Sequence, residues 1–282
     1  MPVAADVDFA FLARSFPITA GVITRVADEA RALARARVAP GEKAEKVEVA
    51  RDDILRSMEA EFRPRLQTVG RRLTTRAKMT DLVLADETRE TLAELEATVR
   101  LRHKVLDDWG FRKLVHGRGV SALFYGEPGT GKTLAAGVIA ASCGLPLYQI
   151  DTAQVVSKWV GETEKNLAEV FRAAEAGHAM LLFDEADSVL GKRAADMKSA
   201  NDRHANLETN FILARLEQFQ GVAIFTTNLA SAIDPAVARR MTVHLKFPFP
   251  DEETRVLLWR RMIPTEAPVD DDIDFDRLAS RF

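Results

Sequence analysis

Residues 126–133 read Gly-Glu-Pro-Gly-Thr-Gly-Lys-Thr and stand between a short apolar run and one rich in alanine, leucine and isoleucine. Gly126, Gly131, Lys132 and Thr133 fall at the spacing of a loop whose backbone N–H groups wrap phosphate oxygens. Such a loop (Gly126, Glu127, Pro128, Gly129, Thr130, Gly131, Lys132, Thr133) needs glycines for close backbone approach. It also needs a helix start behind it, whose free N–H groups point at the anion. Residues 121–125 supply a strand-type run before the loop and 134–142 a helical run after it. Lys132 is then placed for the β- and γ-phosphates, and the Thr133 hydroxyl for Mg2+.

A strand–loop–helix unit commits its surroundings to strands alternating with helices. Apolar runs at 121–125, 147–151, 179–184, 222–227 and 243–247 predict strands, and 132–142, 162–176 and 205–219 predict helices. The expected fold class is α/β, a parallel five-stranded sheet flanked by helices, with nucleotide outside the strand carboxyl ends. The chain before it reads as helical. Phe9, Leu12 and Phe16 share one face, Val22, Val26, Ala30 and Leu33 another, and 52–62 form a third amphipathic stretch. Residues 63–80, basic and threonine-rich, read as a linker, and 86–109 as a helix or helix pair. The expected organisation is a helical region at 1–63, linker and leading helices at 64–118, the α/β domain at 119–262 and a short C-terminal piece at 263–282.

Composition bounds the partners. An apolar fraction of 47% supports a real core, and a net charge of −3 gives no global basic field for nucleic acid. The lone Cys143 forms no intrachain disulfide, and its Ala-Ser-Leu surroundings predict a buried structural thiol in a reducing compartment. The first twenty residues lack the pattern of a secretory signal, and no apolar run reaches membrane-spanning length. A cytoplasmic protein with neither membrane nor nucleic-acid partners is expected.

Further residues carry chemistry. Met180-Leu-Leu-Phe-Asp184-Glu185 is an apolar strand that delivers two carboxylates to its tip. Asp184 is placed to hold Mg2+ through water, and Glu185 to polarise the water that attacks the γ-phosphate. Asn228 ends another strand and is a candidate to hold that water or sense the γ-phosphate. Arg239 and Arg240 follow Asp234-Pro235, where a guanidinium can stabilise transition-state charge from a second subunit; the alternative is a pair of surface arginines bridged to local acids.

With these motifs in this order, the chain resembles the AAA-type ATPases of the AAA+ superfamily, and 226–240 resembles that family's second region of homology. The resemblance implies ATP and Mg2+ as cofactors and a homo-oligomeric ring, usually a hexamer. It also implies Asn228 as a sensor and Arg239 and Arg240 as fingers acting in trans. Lys158-Trp159-Val160 resembles the aromatic pore loop with which such rings grip a polypeptide substrate; the alternative is a Trp159 packed in the core. Residues 191–208 form either a second pore loop or a solvated surface loop. Asp108-Trp109-Gly110-Phe111, 119–124, 202–206 and 247–251 resemble a narrower bacterial group encoded with extracellular contractile injection systems, which implies such an assembly as partner.

One internal repeat stands out. Residues 6–16 match 272–282 at seven of eleven positions, counting Val7 against Ile273. Residues 6–62 resemble the small helical lid that follows the α/β domain in this family, with Thr19-Ala20-Gly21 at its turn, and 272–282 resemble the opening of another, truncated lid. The resemblance implies the lid of one module followed by the α/β domain of the next, or else a permuted arrangement. The expected function is ATP-driven remodelling of a protein. A nucleotide-dependent assembly scaffold is the rival, and a nucleic-acid motor, disfavoured by the charge, is the third reading.

Overall fold

The computed structural model describes residues 2–16, 18–37, 47–67, 70–114, 119–150, 162–190, 211–229, 233–264, 266–268, 270 and 273–281. Three helices come first: α1 (Phe9–Ser15), α2 (Ala20–Ala36) and α3 (Arg51–Gln67). Val26, Ala30 and Ala34 recur at helical spacing along α2 and are buried. Val26 packs with Phe16 and with Met58 and Phe62 of α3, and Ala30 and Ala34 with Val49. Alanines let α2 approach closely, so Leu33, expected inside, is only half-buried.

The α/β part follows as β1 (Gly70–Leu73), α4 (Asp86–His103), β2 (Val120–Gly126), α5 (Lys132–Ser142), β3 (Leu147–Ile150), α6 (Glu162–Ala176), β4 (Met180–Phe183), α7 (Asp187–Leu190), a helix α8 at 211–218, β5 (Val222–Thr227), α9 (Pro235–Ala238), β6 (Val243–Phe247), α10 (Glu252–Met262) and α11 (Phe275–Arg281). Among the described residues the sheet has six strands, in the order β1-β3-β4-β5-β2-β6. The last five strands of the chain run parallel, while β1 pairs antiparallel with β3.

Central strands are apolar on both faces because helices cover both. Leu181 and Phe183 enter one layer with Phe171 of α6 and Phe225, where the Phe183 and Phe225 rings stack 4.7 Å apart. Met180 and Leu182 enter the other with Leu92 and Leu95 of α4 and Ile139 of α5. Fully burying each such side chain contributes about 1.5–3 kcal/mol, so the two layers hold the strand tips in fixed register.

The stretch expected as a linker is structured. Its start is the last turn of α3, which runs past Pro64, and its middle is β1. Gly70-Arg71-Arg72-Leu73 has no apolar alternation to announce a strand. The ladder to β3 imposes the conformation, and charged side chains are what an edge strand tolerates. The sheet therefore has a sixth, antiparallel edge strand beyond the five parallel ones expected. Leu66 joins the sheet's core layer, so α3 and β1 fasten the N-terminal helices to the α/β part.

Both copies of the repeat that are described become seven-residue helices, α1 and α11. They bury different faces. Ala279 is fully buried where its counterpart Ala13 is exposed, and the Arg260 guanidinium lies 5.8 Å from the Phe275 ring.

Candidate nucleotide site

The loop after β2 is shaped by its glycines. Gly126, with φ 150°, passes so close to β6 that a Cβ there would sit 2.0 Å from the Phe247 carbonyl oxygen. Gly129 and Gly131 take φ 78° and 92°, conformations that side chains disfavour, in open surroundings. Helix α5 begins at the next residue, aiming its first N–H groups into the loop. Thr130 Oγ1 donates to the Glu127 carbonyl at 2.8 Å and tightens the turn. Lys132 is 7% exposed, and its Nζ donates to the carbonyls of Gly126 at 2.8 Å and Glu127 at 2.7 Å. Burial draws its pKa below the ordinary lysine value, with Asp184 and then Asp187 opposing that shift.

Thr133 faces the tip of β4. Its hydroxyl lies 3.2 and 3.3 Å from the two carboxylate oxygens of Asp184. Asp184 also accepts from Gln149 Nε2 at 2.7 Å and from the Thr226 hydroxyl. The following turn is pinned to β5, because Thr226 accepts the Glu185 N–H at its hydroxyl (3.1 Å) and the Ala186 N–H at its carbonyl (2.8 Å). These bonds hold Glu185 at φ 52°, a left-handed conformation for a side-chain-bearing residue, with its carboxylate exposed. Thr227 bonds Asp187 and accepts the Leu229 N–H at 3.0 Å.

Since β5 lies between β4 and β2, Asn228 emerges between the carboxylate turn and the glycine loop, half-buried. Arg239 and Arg240 lie elsewhere. The Arg240 carbonyl accepts from Ser121 Oγ at 3.2 Å, at the far end of β2 from Gly126. Five residues at about 3.3 Å each separate those ends by about 17 Å. The Arg240 Nε also donates to Glu217 at 2.5 Å. Arg239 is exposed, with no ion-pair partner among the described residues.

Lys158, Trp159 and Val160 lie outside the described residues, as does 191–208. Sequence reasoning missed Gln149, Thr226 and Thr227. A glutamine among apolar strand residues was the available signal, since a polar side chain in that position needs partners.

The residues present fit a Mg-nucleotide. Two hard oxygen ligands converge at Thr133 and Asp184, beside an ammonium and a glycine cradle that leaves room for phosphates. A glycine loop opening a helix, with its lysine and threonine against a strand-tip aspartate, defines a P-loop nucleoside triphosphatase. Residues 122–249 match the ATPase family associated with various cellular activities (AAA). The chain therefore carries an AAA ATPase domain, an ATP-hydrolysing enzyme class. Spastin of Anopheles gambiae is 34% identical over 164 residues, 56% of this chain and 20% of that protein. The ATP-dependent zinc metalloprotease FtsH 3 of Sphaerobacter thermophilus is 32% identical over 202 residues, 69% of this chain and 39% of its own. The cell division cycle protein 48 homolog of Archaeoglobus fulgidus is 33% identical over 168 residues, 58% of this chain and 22% of its own. The chain thus spans between a fifth and two-fifths of these relatives. A chain of the E. coli MS115-1 HORMA:CdnC:Trip13 complex shares the fold, at TM-score 0.58 and 19% identity over 76% of this chain and 81% of that one.

Proposed function

We propose that this chain hydrolyses Mg-ATP at a site completed by a second copy and uses the energy to remodel a protein. The approach of Thr133 to Asp184, with Lys132 beside it, carries the reading. Loop N–H groups and Lys132 bind the phosphates. Thr133 and, through water, Asp184 hold Mg2+, which when bound offsets the charge that builds on the phosphate oxygens. Glu185, exposed on a pinned turn, holds the attacking water and takes its proton, while Asn228 orients that water against the γ-phosphate. A guanidinium some 17 Å down the sheet does not reach its own chain's loop. Arg239, unpaired among the described residues, suits a neighbour's phosphate, and the Arg240 ion pair with Glu217 suits shaping that surface.

A homo-oligomeric ring, usually a hexamer in proteins of this kind, supplies such a neighbour. Remodelling rests on the resemblance of Lys158-Trp159-Val160 to a polypeptide-gripping loop and on relatives named as an ATP-dependent protease and a cell division cycle protein. No helix among the described residues is long and apolar enough to cross a membrane, which leaves the expected cytoplasmic setting a proposal. The link to contractile injection systems rests on the sequence resemblance alone.

Glu185→Gln tests the site. The variant binds ATP and retains it, with turnover lowered about a hundredfold or more. Unchanged steady-state hydrolysis refutes the assignment.

A further inference from the structure

Gln149 stands where an apolar residue is the norm. It is the third residue of β3, on the same face as Leu147, which packs in the layer with α5. Gln149 is half-buried there, so its amide is only partly open to water and gains from protein partners. Gln149 satisfies both ends. Its Nε2 donates to Asp184 at 2.7 Å and its Oε1 accepts from Arg71 Nε at 2.8 Å. The opposite amide orientation would set NH2 against a guanidinium and oxygen against a carboxylate, so the two neighbours together fix it. Arg71 is the register partner of Gln149 across the β1–β3 ladder, where facing side chains are within reach of each other.

We propose that Gln149 is a positioning residue for the Mg2+-holding aspartate, and that Arg71 sets Gln149. The proposal rests on the Mg-ATP reading of the site. Asp184 holds its cation through water, so the direction in which its oxygens point decides whether that water is met. Thr133 touches both Asp184 oxygens and Thr226 holds Oδ1; Gln149 holds Oδ2 and stops rotation of the carboxylate. The Arg71 guanidinium draws on the amide oxygen and strengthens the N–H donor at the other end. Because β1 packs against α3, this Arg71–Gln149–Asp184 chain begins beside the N-terminal helices. Groups that orient a metal ligand are commonly worth tenfold or more in metal affinity.

The experiment measures mant-ADP binding by the full chain in EDTA and across a MgCl2 titration, beside a thermal melt. Gln149→Leu raises the Mg2+ midpoint about tenfold and leaves metal-free mant-ADP affinity within about twofold. Arg71→Ala raises it about threefold, Arg71→Lys less, and neither adds to the shift in the Gln149→Leu background, as one relay requires. A Gln149→Leu midpoint within twofold of the parent overturns the proposal. So does a parallel loss of metal-free binding or a collapsed melt reproduced by Gln149→Met, either of which marks a structural role. If the parent chain binds mant-ADP without any Mg2+ dependence, the assignment of Thr133 and Asp184 fails first, a result distinct from an unshifted variant.

Discussion

Replacing Thr226 with valine keeps the shape of the side chain and removes one hydroxyl. That residue is 1% exposed, and its hydroxyl donates to Asp184 while accepting the Glu185 N–H. Loss of a bond to a charged group costs about 1.5–3 kcal/mol. Asp184 keeps Thr133 and Gln149, which places that loss near the lower figure. The Glu185 N–H belongs to an exposed residue that water can reach, so its loss adds about 1 kcal/mol. The sum of about 2.5 kcal/mol, at about 2 °C per kcal/mol for a chain of this size, lowers Tm by about 5 °C. Catalysis suffers more, because Glu185 is held at positive φ by that contact, and a freed turn relaxes toward ordinary backbone geometry. Expected is a fall in kcat of about tenfold or more, with metal-free nucleotide affinity little changed. Thr226→Ser, which keeps the hydroxyl and loses a methyl, should cost about 1 kcal/mol and retain most of the rate. Differential scanning fluorimetry and a coupled ATPase assay read both quantities. A Thr226→Val protein that melts within 1 °C of the parent and turns over at the parental rate would refute the reasoning.

Other substitutions separate the remaining roles. Arg239→Ala should lower specific ATPase activity about a hundredfold at concentrations where the parent is assembled, without weakening nucleotide binding, whereas Glu217→Ala, which breaks the Arg240 ion pair, should cost only a few-fold; an Arg239→Ala loss no larger than that of Glu217→Ala would refute the role given to Arg239. Trp159→Ala should keep nucleotide turnover while abolishing unfolding of a tagged substrate in a fluorescence assay, and an unfolded variant would place Trp159 in the core. Burial, aided by the charges of Arg102, His103 and Arg51, holds His178 down to about 4 from 6.5. A neutral histidine of lowered folded-state pKa stabilises above pH 6.5, and the contribution is lost as pH falls toward 4, at most about 3 kcal/mol. His178→Asn, compatible with the residue's φ of 50°, should flatten the decline in Tm between pH 6.5 and 4, and an unchanged slope would refute the assignment.

The parts legible in the sequence are those whose physics is local. A glycine loop before a helix, or an apolar run ending in Asp184-Glu185, announces itself in a few residues, and α5 and α6 begin and end where periodicity puts them. What stayed hidden depends on partners far along the chain. β1 becomes a strand only through β3, and nothing in Gly-Arg-Arg-Leu distinguishes it from a linker. The link from Gln149 to Asp184 spans 35 positions and that from Thr226 spans 42, so no spacing rule finds them. Arg240 read as half of an arginine pair, yet its bond to Glu217 requires α8 and α9 to be side by side.

The match to the AAA family begins at residue 122, whereas the sheet begins at Gly70. A fragment cut to the matched residues would leave Leu147–Ile150 as a bare, mostly apolar edge and would strip Leu92 and Leu95 from one side of the core. Two arginines on a short antiparallel strand close that edge against stray pairing. The smallest soluble piece of this chain is therefore set by colloidal behaviour as much as by ancestry, and an expression boundary belongs upstream of Gly70.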